Sequence, residues 1–286
     1  MGSAVASLAS EEHEVLAAFN QHFPACGTAV KLDLLDGEGT AAAVAKVRPD
    51  AIVHSAALTD VDRCEANRDL AEKVNHDATK ALSKLAKRAG AFFLYVSTDY
   101  VFDGARGMYR EEDQANPINL YGLTKLRGEQ AVEASGAEFC IARGSVIYGA
   151  HPAAGKVNFA LWLIENLRRG EHVRVLRDQH VSPTLNLSFA RMILEALERR
   201  LTGIFHMAGA SRVSRYDFAV ALADAFGLDP SLIEPVTMDE MKWVAKRPTD
   251  SSLDVSKAAS LLSEKPLLLP DALLKLKHAL TGGNES

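Results

Sequence analysis

Short apolar runs alternate along this chain with longer stretches in which apolar residues recur every three or four positions. The short runs are rich in β-branched and aromatic residues and predict strands at 51–57, 92–97, 139–145 and 203–208. The longer stretches predict helices at 70–89, 121–135, 159–169 and 187–200. Strands that alternate with helices in this way are typical of an α/β protein with a parallel, doubly wound sheet.

The start of the chain departs from the pattern of a Rossmann-like sheet that binds a dinucleotide. Such a fold begins with an apolar strand and a glycine-rich turn, and the helix after the turn offers its backbone amides to the pyrophosphate. Here residues 1–8 predict that helix and residues 13–19 predict the next strand. We therefore predict that the first strand and most of the turn are missing. Gly2 would be the last glycine of the turn, unless it simply follows an initiator Met1.

The second half of the chain is less regular than the first. Prolines interrupt it at Pro152, Pro183, Pro235 and Pro248, which indicates excursions from the sheet rather than a domain on a linker. We predict a dinucleotide-binding domain at 1–145, incomplete at its amino terminus, to which residues 183–210 return. The remainder of 146–286 should form a smaller C-terminal lobe that binds the substrate.

Composition narrows the class of protein. The chain has 286 residues, of which 48% are hydrophobic and 24% charged, as in an ordinary globular enzyme. Its net charge of -5 provides no basic surface for nucleic acid, and no apolar run approaches the ~20 residues of a membrane span. Its three cysteines lack metal-ligand spacing. We expect a cytoplasmic protein with no metal and with neither nucleic acid nor membrane as a partner.

Two motifs carry residues suited to acid–base chemistry. Ser97 and Thr98 stand where an apolar strand ends, and ligands of open α/β sheets bind at the carboxyl ends of the strands. Tyr121 and Lys125 lie four residues apart at the start of a predicted helix, so they share one face. A nearby ammonium favours phenolate and lowers the pKa of a tyrosine, as a general acid or base requires. Taken singly, the first motif could only cap a strand and the second could arise by chance.

Together these motifs resemble the dTDP-4-dehydrorhamnose reductase family of extended short-chain dehydrogenases. The resemblance is carried by the segments 97–104, 116–117 and 121–129, and by 48–62 and 74–75 before them. Later matches extend it over nearly the whole chain: Arg143, Tyr148, Gly149, Asn158, Phe159, Asp178, Gln179, Pro183, Thr184, His206, Arg247 and Pro248. Val181 stands where the family usually has glycine, and Ser188 where it usually has an acidic residue. These two departures put the identity of the sugar in doubt.

The resemblance implies a role for each matching residue. Thr98 would bind the substrate carbonyl, Tyr121 would supply the proton, and Lys125 would tune Tyr121 and hold the nicotinamide ribose. The cofactor, NADPH or NADH, would contact Gly2, Asp33, Leu34, Ala56, Ala57, Thr59, Tyr121 and Lys125. A nucleotide-sugar substrate would contact Thr98, Asp99, Tyr100, Arg143, Asn158, Gln179 and Thr184. A single arginine near a strand is as often an ion-pair partner at the surface, and this alternative stays open for Arg143.

The expected function is NAD(P)H-dependent reduction of a nucleotide-linked 4-keto-6-deoxysugar by a chain that could form a homodimer. One alternative is a dehydratase or epimerase of the same superfamily, which Tyr100 disfavours because dehydratases usually have Glu there. Another is a non-catalytic regulatory subunit similar to the β subunit of methionine adenosyltransferase. The missing first strand favours that alternative, and the intact set of catalytic candidates disfavours it. We expect His54 and His206, which lie in apolar runs, to be structural.

Overall fold

The structure, a computed structural model, describes residues 1–152 and 157–282. Its helices are α1 (Gly2–Ala9), α2 (Gly37–Val47), α3 (Val61–Ala66), α4 (Arg68–Glu72), α5 (Ala78–Ala89), α6 (Leu120–Glu133), α7 (Phe159–Arg168), α8 (Asn186–Glu198), α9 (Arg215–Phe226), α10 (Ser256–Leu261) and α11 (Leu269–Thr281). Its strands are β1 (Leu16–Phe19), β2 (Thr28–Lys31), β3 (Ala51–His54), β4 (Phe92–Thr98), β5 (Phe139–Gly144), β6 (Ile147–Tyr148), β7 (Val173–Leu176), β8 (His180–Val181), β9 (Thr184–Leu185), β10 (Gly203–His206), β11 (Val213–Ser214) and β12 (Ile233–Val236).

A parallel sheet in the order β10-β5-β4-β3 forms the centre of the fold. Every residue of β4 is buried, because helices cover both faces of the sheet. On one face Leu94 packs with Phe189 of α8, and on the other Phe93 packs with Leu82 of α5 and Val132 of α6. A parallel sheet covered on both faces explains the nearly continuous apolar run of β4. The predicted doubly wound α/β fold is confirmed.

One predicted helix is divided in the structure. The stretch 70–89 forms α4 and α5, which are joined by a π-helical turn at Lys73–Asp77. The turn places Asn75 with its side chain buried, where its amide bonds to the main chain of Leu58. Apolar periodicity does not distinguish a π-helical turn from the α-helix around it, so the sequence predicted one continuous helix.

The amino-terminal strands form a separate parallel pair, β1 with β2. Within 1–152 and 157–282, β1 pairs only with β2, and β3 has β4 as its single partner. In a dinucleotide-binding sheet the first strand lies centrally, between strands equivalent to β1 and β3. Within the described residues, the parallel strands of this Rossmann-like fold therefore form two separate sheets. Both neighbouring strands present an unpaired edge.

Helix α1 packs where the helix after the glycine-rich turn would lie. Val5 is buried with Val53 of β3 and Phe189 of α8 in one core. Gly2, at the start of α1, lies close to Ser55. A Cβ added at Gly2 would come within 2.9 Å of the Ser55 Oγ. The start of α1 is therefore held beside the carboxyl end of β3.

The C-terminal lobe has a core of its own. Leu163 of α7, Phe218 of α9 and Leu276 of α11 are buried together with Val175 of β7 and Ile233 of β12. The chain leaves the central sheet after β5 and returns with α8 and with β10, which pairs with β5. The lobe thus consists of excursions from the sheet, while the domain boundaries given above remain predictions. Of the helices in the described part of the chain, none has both the length and the apolar character needed to cross a membrane.

Pairing the unpaired edges of β1 and β3 should strengthen the binding of a dinucleotide. We expect tighter binding of NADPH or NADH after addition of an apolar strand and a Gly-x-x-Gly-x-x-Gly turn that ends at Gly2. The turn would supply backbone amides to the pyrophosphate, and each hydrogen bond to a charged group is worth roughly 1.5 to 3 kcal/mol. Calorimetric titration of both chains measures the gain.

A matched extension in which Gly and Ser replace the apolar strand residues serves as the control. It retains the length and the turn but cannot complete the sheet. Equally tight binding by the unextended chain would contradict the prediction. Equal gains from both extensions would show that the strand itself contributes nothing.

Candidate active site

The carboxyl end of β4 and the start of α6 meet at one edge of the sheet. Thr98 is the last residue of β4. The Asn119 side chain caps α6 by accepting a hydrogen bond from the Gly122 amide at 2.8 Å, and Glu65 accepts one from the Leu120 amide at 2.7 Å. These two acceptors satisfy amides that a helix start leaves unpaired, and so they fix the position of Tyr121.

The Thr98 side chain lies beside the Tyr121 phenol, close enough to act on the pKa of the phenol. The Tyr121 ring also meets the ring of Tyr100 edge to face, with centroids 5.9 Å apart. Burial raises the pKa of the Tyr121 phenol above its ordinary value, although the Thr98 side chain acts in the opposite direction. The expected lowering of this pKa was therefore wrong, because burial raises it.

Lys125 is buried beneath the site on the same helix as Tyr121. Its ammonium donates to the Val96 carbonyl oxygen at 2.7 Å and lies 3.9 Å from the centroid of the Tyr95 ring. Burial lowers the pKa of Lys125 to about 7, against the attraction of Glu129, which raises it. A lysine in this setting can lose or gain a proton near neutral pH.

Asp99 is surrounded by hydroxyl groups. Its carboxylate accepts hydrogen bonds from Thr98 at 3.0 Å, from Ser145 at 2.8 Å and from Ser251 at 2.6 Å. Burial raises the pKa of Asp99, and the three hydroxyls lower it by smaller amounts. Because its hydrogen-bonding capacity is used within the protein, Asp99 positions Thr98 at the strand end.

The residues predicted to bind the cofactor lie at the carboxyl ends of β2 and β3. Ala56, Ala57 and Thr59 belong to the loop after β3. The buried Asn75 side chain holds this loop, because it accepts a hydrogen bond from the Leu58 amide at 2.8 Å and donates one to the Leu58 carbonyl at 3.1 Å. The same Asn75 amide donates to the Thr124 hydroxyl of α6 at 3.1 Å. Asn75 thus ties this loop to the helix that carries Tyr121 and Lys125.

Two observations fit this edge to a nicotinamide dinucleotide. The buried Ser97 hydroxyl, at the end of β4, has no hydrogen-bond partner within the described ranges. At Gly2 a Cβ would approach the Ser55 Oγ to 2.9 Å, so the absence of a side chain there leaves the Ser55 hydroxyl room beside the start of α1. Asp33 and Leu34 follow β2. Asp33 accepts from the Leu35 amide at 3.0 Å, and Leu34 packs against the core that contains Tyr95.

Three residues predicted to bind the substrate have their polar groups engaged elsewhere. Arg143 forms a bidentate pair with Glu129, with N–O distances of 2.9 and 2.7 Å, and both side chains are buried. Asn158 caps α7 by accepting from the Leu161 amide and donates to the Gly149 carbonyl. The Thr184 hydroxyl donates to the Ser145 carbonyl at 2.6 Å. The hydrogen-bonding groups of these residues are thus engaged with other parts of the protein, and the ion pair of Arg143 is buried rather than at the surface.

Gln179 is brought close to Tyr100, near enough for its side chain to act on the pKa of the Tyr100 phenol. Its amide donates to the Pro248 carbonyl at 3.3 Å, and its oxygen accepts from Arg215 Nε at 3.3 Å. Arg215, the first residue of α9, was not singled out in the sequence because nothing in its local pattern distinguishes it. Antiparallel pairing of β8 with β11 brings it beside Gln179.

A segment of the C-terminal lobe, residues 244–247, crosses to the start of α6. Asp62 accepts hydrogen bonds from the amides of Val244 and Ala245 and from the Arg247 guanidinium, at 2.9 to 3.1 Å. The Asn119 side chain, which caps α6, also donates to the Lys246 carbonyl at 2.9 Å. Asp62 was missed as a functional candidate because its partners lie more than 180 residues away in the sequence.

The two histidines in apolar strands are buried and neutral. Burial lowers the pKa of both His54 and His206 to about 3. His54 stacks on Tyr95 with ring centroids 5.5 Å apart and bonds to the Thr79 hydroxyl. Within the described residues, no group of three or more metal-ligating side chains lies close enough to hold an ion.

Comparison with known proteins agrees with the class that this fold and site define, a nicotinamide-dependent short-chain oxidoreductase. A family model described as the RmlD substrate binding domain matches residues 1–274. A probable low-salt glycan biosynthesis reductase of Haloferax volcanii is 33% identical over 285 residues, which cover 98% of this chain and 95% of that protein. Methionine adenosyltransferase 2 subunit beta of Xenopus tropicalis is 35% identical over 231 residues, or 79% of this chain and 69% of that protein.

A solved dTDP-4-dehydrorhamnose reductase from Bacillus anthracis, in complex with NADP, has the same fold. It superimposes with a TM-score of 0.85 at 27% identity, over 97% of both chains. The chain belongs to the RmlD substrate-binding domain family, and its resemblance to the dTDP-4-dehydrorhamnose reductases is confirmed. It is related to sugar-nucleotide reductases, and its structural neighbours support a nicotinamide cofactor.

The buried pair of Arg143 and Glu129 should contribute strongly to stability. Replacing Glu129 with Gln leaves the Arg143 charge buried without a counter-ion, so we expect a loss of about 3 kcal/mol in the free energy of unfolding. Urea unfolding measures this loss. As the matched control, Glu138→Gln removes a half-exposed partner of Arg200 and should change stability little. Equal effects of the two substitutions would contradict the prediction.

Proposed function

We propose that this protein reduces the 4-keto group of a nucleotide-linked 6-deoxysugar with NADPH or NADH. The observation that carries the proposal is the proximity of Thr98, at the end of β4, to Tyr121, at the start of α6, with Lys125 buried one helical turn further along α6. A proton donor, a carbonyl-binding hydroxyl and a cation are thereby arranged at the edge of the sheet where α/β folds bind ligands.

The cofactor, when bound, supplies the hydride that adds to the carbonyl carbon. When substrate is bound, Thr98 would turn its hydroxyl proton from the Asp99 carboxylate to the carbonyl oxygen and so orient the carbonyl beside Tyr121. Tyr121 transfers its phenolic proton to that oxygen as negative charge develops there, leaving an alcohol. Lys125 holds the nicotinamide ribose and stabilises the phenolate that Tyr121 becomes. The raised pKa of Tyr121 suits a proton donor, because it keeps the phenol protonated before the reaction.

The cofactor would lie across the start of α1 and the loop after β3. Gly2 would allow a close approach of backbone amides to the pyrophosphate, Ala56, Ala57 and Thr59 would line the cofactor, and Asp33 and Leu34 would lie near the adenine. Asp99 positions Thr98, and Tyr100 and Gln179 contact the sugar nucleotide from the lobe side. The substrate side of the site would be held in place by the ion pair of Arg143 and by the hydrogen bonds of Asn158 and Thr184. A cytoplasmic location and a homodimer remain predictions.

The substrate loop departs from the family pattern at two positions, and the structure shows where they lie. Val181 is fully buried in β8, and the Ser188 hydroxyl at the start of α8 lies 3.4 Å from a carboxylate oxygen of Glu264. Because Val181 is buried, it influences the substrate loop through packing, and this loop carries Gln179. These two departures bear on which sugar the protein accepts. Turnover of a panel of sugar nucleotides would identify that sugar.

A regulatory subunit is the second candidate function. The identity of 35% to methionine adenosyltransferase 2 subunit beta favours it. It predicts binding of a protein partner with no turnover of any keto sugar. A dehydratase or epimerase is disfavoured by Tyr100, whose ring packs against Tyr121 where dehydratases usually carry Glu.

Removal of the Tyr121 hydroxyl should abolish most of the proposed activity. Tyr121→Phe deletes the proton donor and should lower kcat about 10²-fold or more, with little change in melting temperature. Steady-state reduction of dTDP-4-keto-6-deoxysugars, followed by NADPH oxidation, measures the effect. Tyr148→Phe is the matched control, because it removes a buried phenol that has no hydrogen-bond partner within the described ranges. Turnover unaffected by Tyr121→Phe would refute the assignment.

The rate of reduction should depend on pH through Lys125. Its pKa of about 7 in the free protein means that the ammonium loses its proton as the pH rises through neutrality. Because the charged form holds the ribose and stabilises the Tyr121 phenolate, kcat/KM for reduction should be flat below about pH 7 and fall above it. A profile from pH 5.5 to 9, with circular dichroism to confirm folding at each pH, tests this. A rate that rises through pH 7 would exclude this role.

A further inference from the structure

Arg215 is a partly buried cation that lies among neutral and aromatic side chains. Its Nε donates to the Gln179 side-chain oxygen at 3.3 Å, and its guanidinium carbon lies 5.3 Å from the centroid of the Phe159 ring. Within the described ranges, no carboxylate lies at ion-pair distance from it. Tyr100 and the buried Asp99 interact with it electrostatically, but Asp99 is already hydrogen-bonded by three hydroxyl groups.

Other arginines of this part of the fold have a carboxylate. Arg143 pairs with Glu129, Arg212 with Asp250, and Arg247 with Asp62, at distances between 2.6 and 2.9 Å. A desolvated charge is costly unless a group of opposite sign compensates it. Within the described ranges, Arg215 has no such group. A cation without a counter-charge from the protein is what a site for an anionic ligand requires.

Arg215 is also held in place rather than free to move. Its backbone amide donates to the Gln179 carbonyl at 3.0 Å, and the helix that it begins is fixed by a capping box between Ser214 and Asp217. The Gln179 side chain in turn reaches Tyr100, whose ring lies 5.9 Å from that of Tyr121. Arg215 is therefore linked through two side chains to the proposed proton donor, on the side of the lobe.

We propose that Arg215 anchors the diphosphate of the nucleotide-linked substrate. This inference rests on the proposed function and deepens it by assigning the group that recognises the nucleotide diphosphate. The diphosphate would supply the negatively charged partner that Arg215 lacks within the described ranges. A planar guanidinium can donate to two phosphate oxygens at once. Gln179 and Phe159 hold the Nε side and one face of the guanidinium, which leaves its terminal nitrogens for the ligand.

The test compares nucleoside diphosphates with the corresponding nucleosides. Calorimetric titrations of dTDP and UDP, and of thymidine and uridine, are made on the wild type and on Arg215→Gln and Arg215→Lys. We expect Arg215→Gln to weaken diphosphate binding about 10- to 100-fold, the range for one charge-assisted interaction, and to leave nucleoside binding unchanged. Arg215→Lys keeps the charge but loses the two-pronged geometry, so its loss should be smaller.

Arg212→Gln provides the matched control. This arginine is three residues away in the sequence, half exposed, and already paired with Asp250, so its loss should not discriminate diphosphate from nucleoside. NADPH affinity and melting temperature confirm that each variant is folded. Should Arg215→Gln fail to fold, the ratio of diphosphate to nucleoside affinity in Arg215→Lys decides the question.

The inference is overturned if Arg215→Gln weakens diphosphate and nucleoside equally, or if it changes neither. It is also overturned if the wild type binds NADPH but neither dTDP nor UDP. A wild type that binds dTDP or UDP, loses that binding in Arg215→Gln, and reduces no keto sugar would support the anchor while refuting the proposed reaction. Failure of the anchor and failure of the proposed function are thus distinguishable.

Discussion

The close packing of α6 against the carboxyl end of β4 is the constraint on which the site depends. Two glycines on α6 permit it. A Cβ at Gly122 would clash with the Tyr100 carbonyl, and one at Gly128 would clash with the Tyr95 hydroxyl. Because the helix lies this close to the strand, the Lys125 ammonium can reach the Val96 carbonyl and Tyr121 can reach Thr98. A larger side chain at either glycine would separate the pair that the proposed chemistry needs.

The same close packing determines the electrostatics of the site. It buries Lys125 and lowers its pKa, and it buries the Tyr121 phenol and raises its pKa. It also encloses Glu129, one turn beyond Lys125, whose charge is compensated by Arg143 of β5. A single helix thus carries a proton donor, a cation and a structural carboxylate, and burial keeps the donor protonated at neutral pH.

The C-terminal lobe completes the site through contacts that are remote in sequence. Asp62 and Asn119 fasten the segment 244–247 to the start of α6, and the β8–β11 pairing places Gln179 and Arg215 beside Tyr100. The proposed proton donor is therefore positioned from the sheet side by the dinucleotide-binding domain and from the other side by the lobe. A substrate bound between them would contact both.

The sequence by itself determined the fold class, the family, and the placement of Thr98, Tyr121 and Lys125, because apolar periodicity and residue spacing act locally along a strand or helix. Tertiary structure decided what depends on partners far along the chain. It placed Arg143 in a buried pair with Glu129, and it raised rather than lowered the Tyr121 pKa. It also left Arg215 without a carboxylate in the described part of the chain, because desolvation and charge pairing are set by neighbours that only the folded chain brings together.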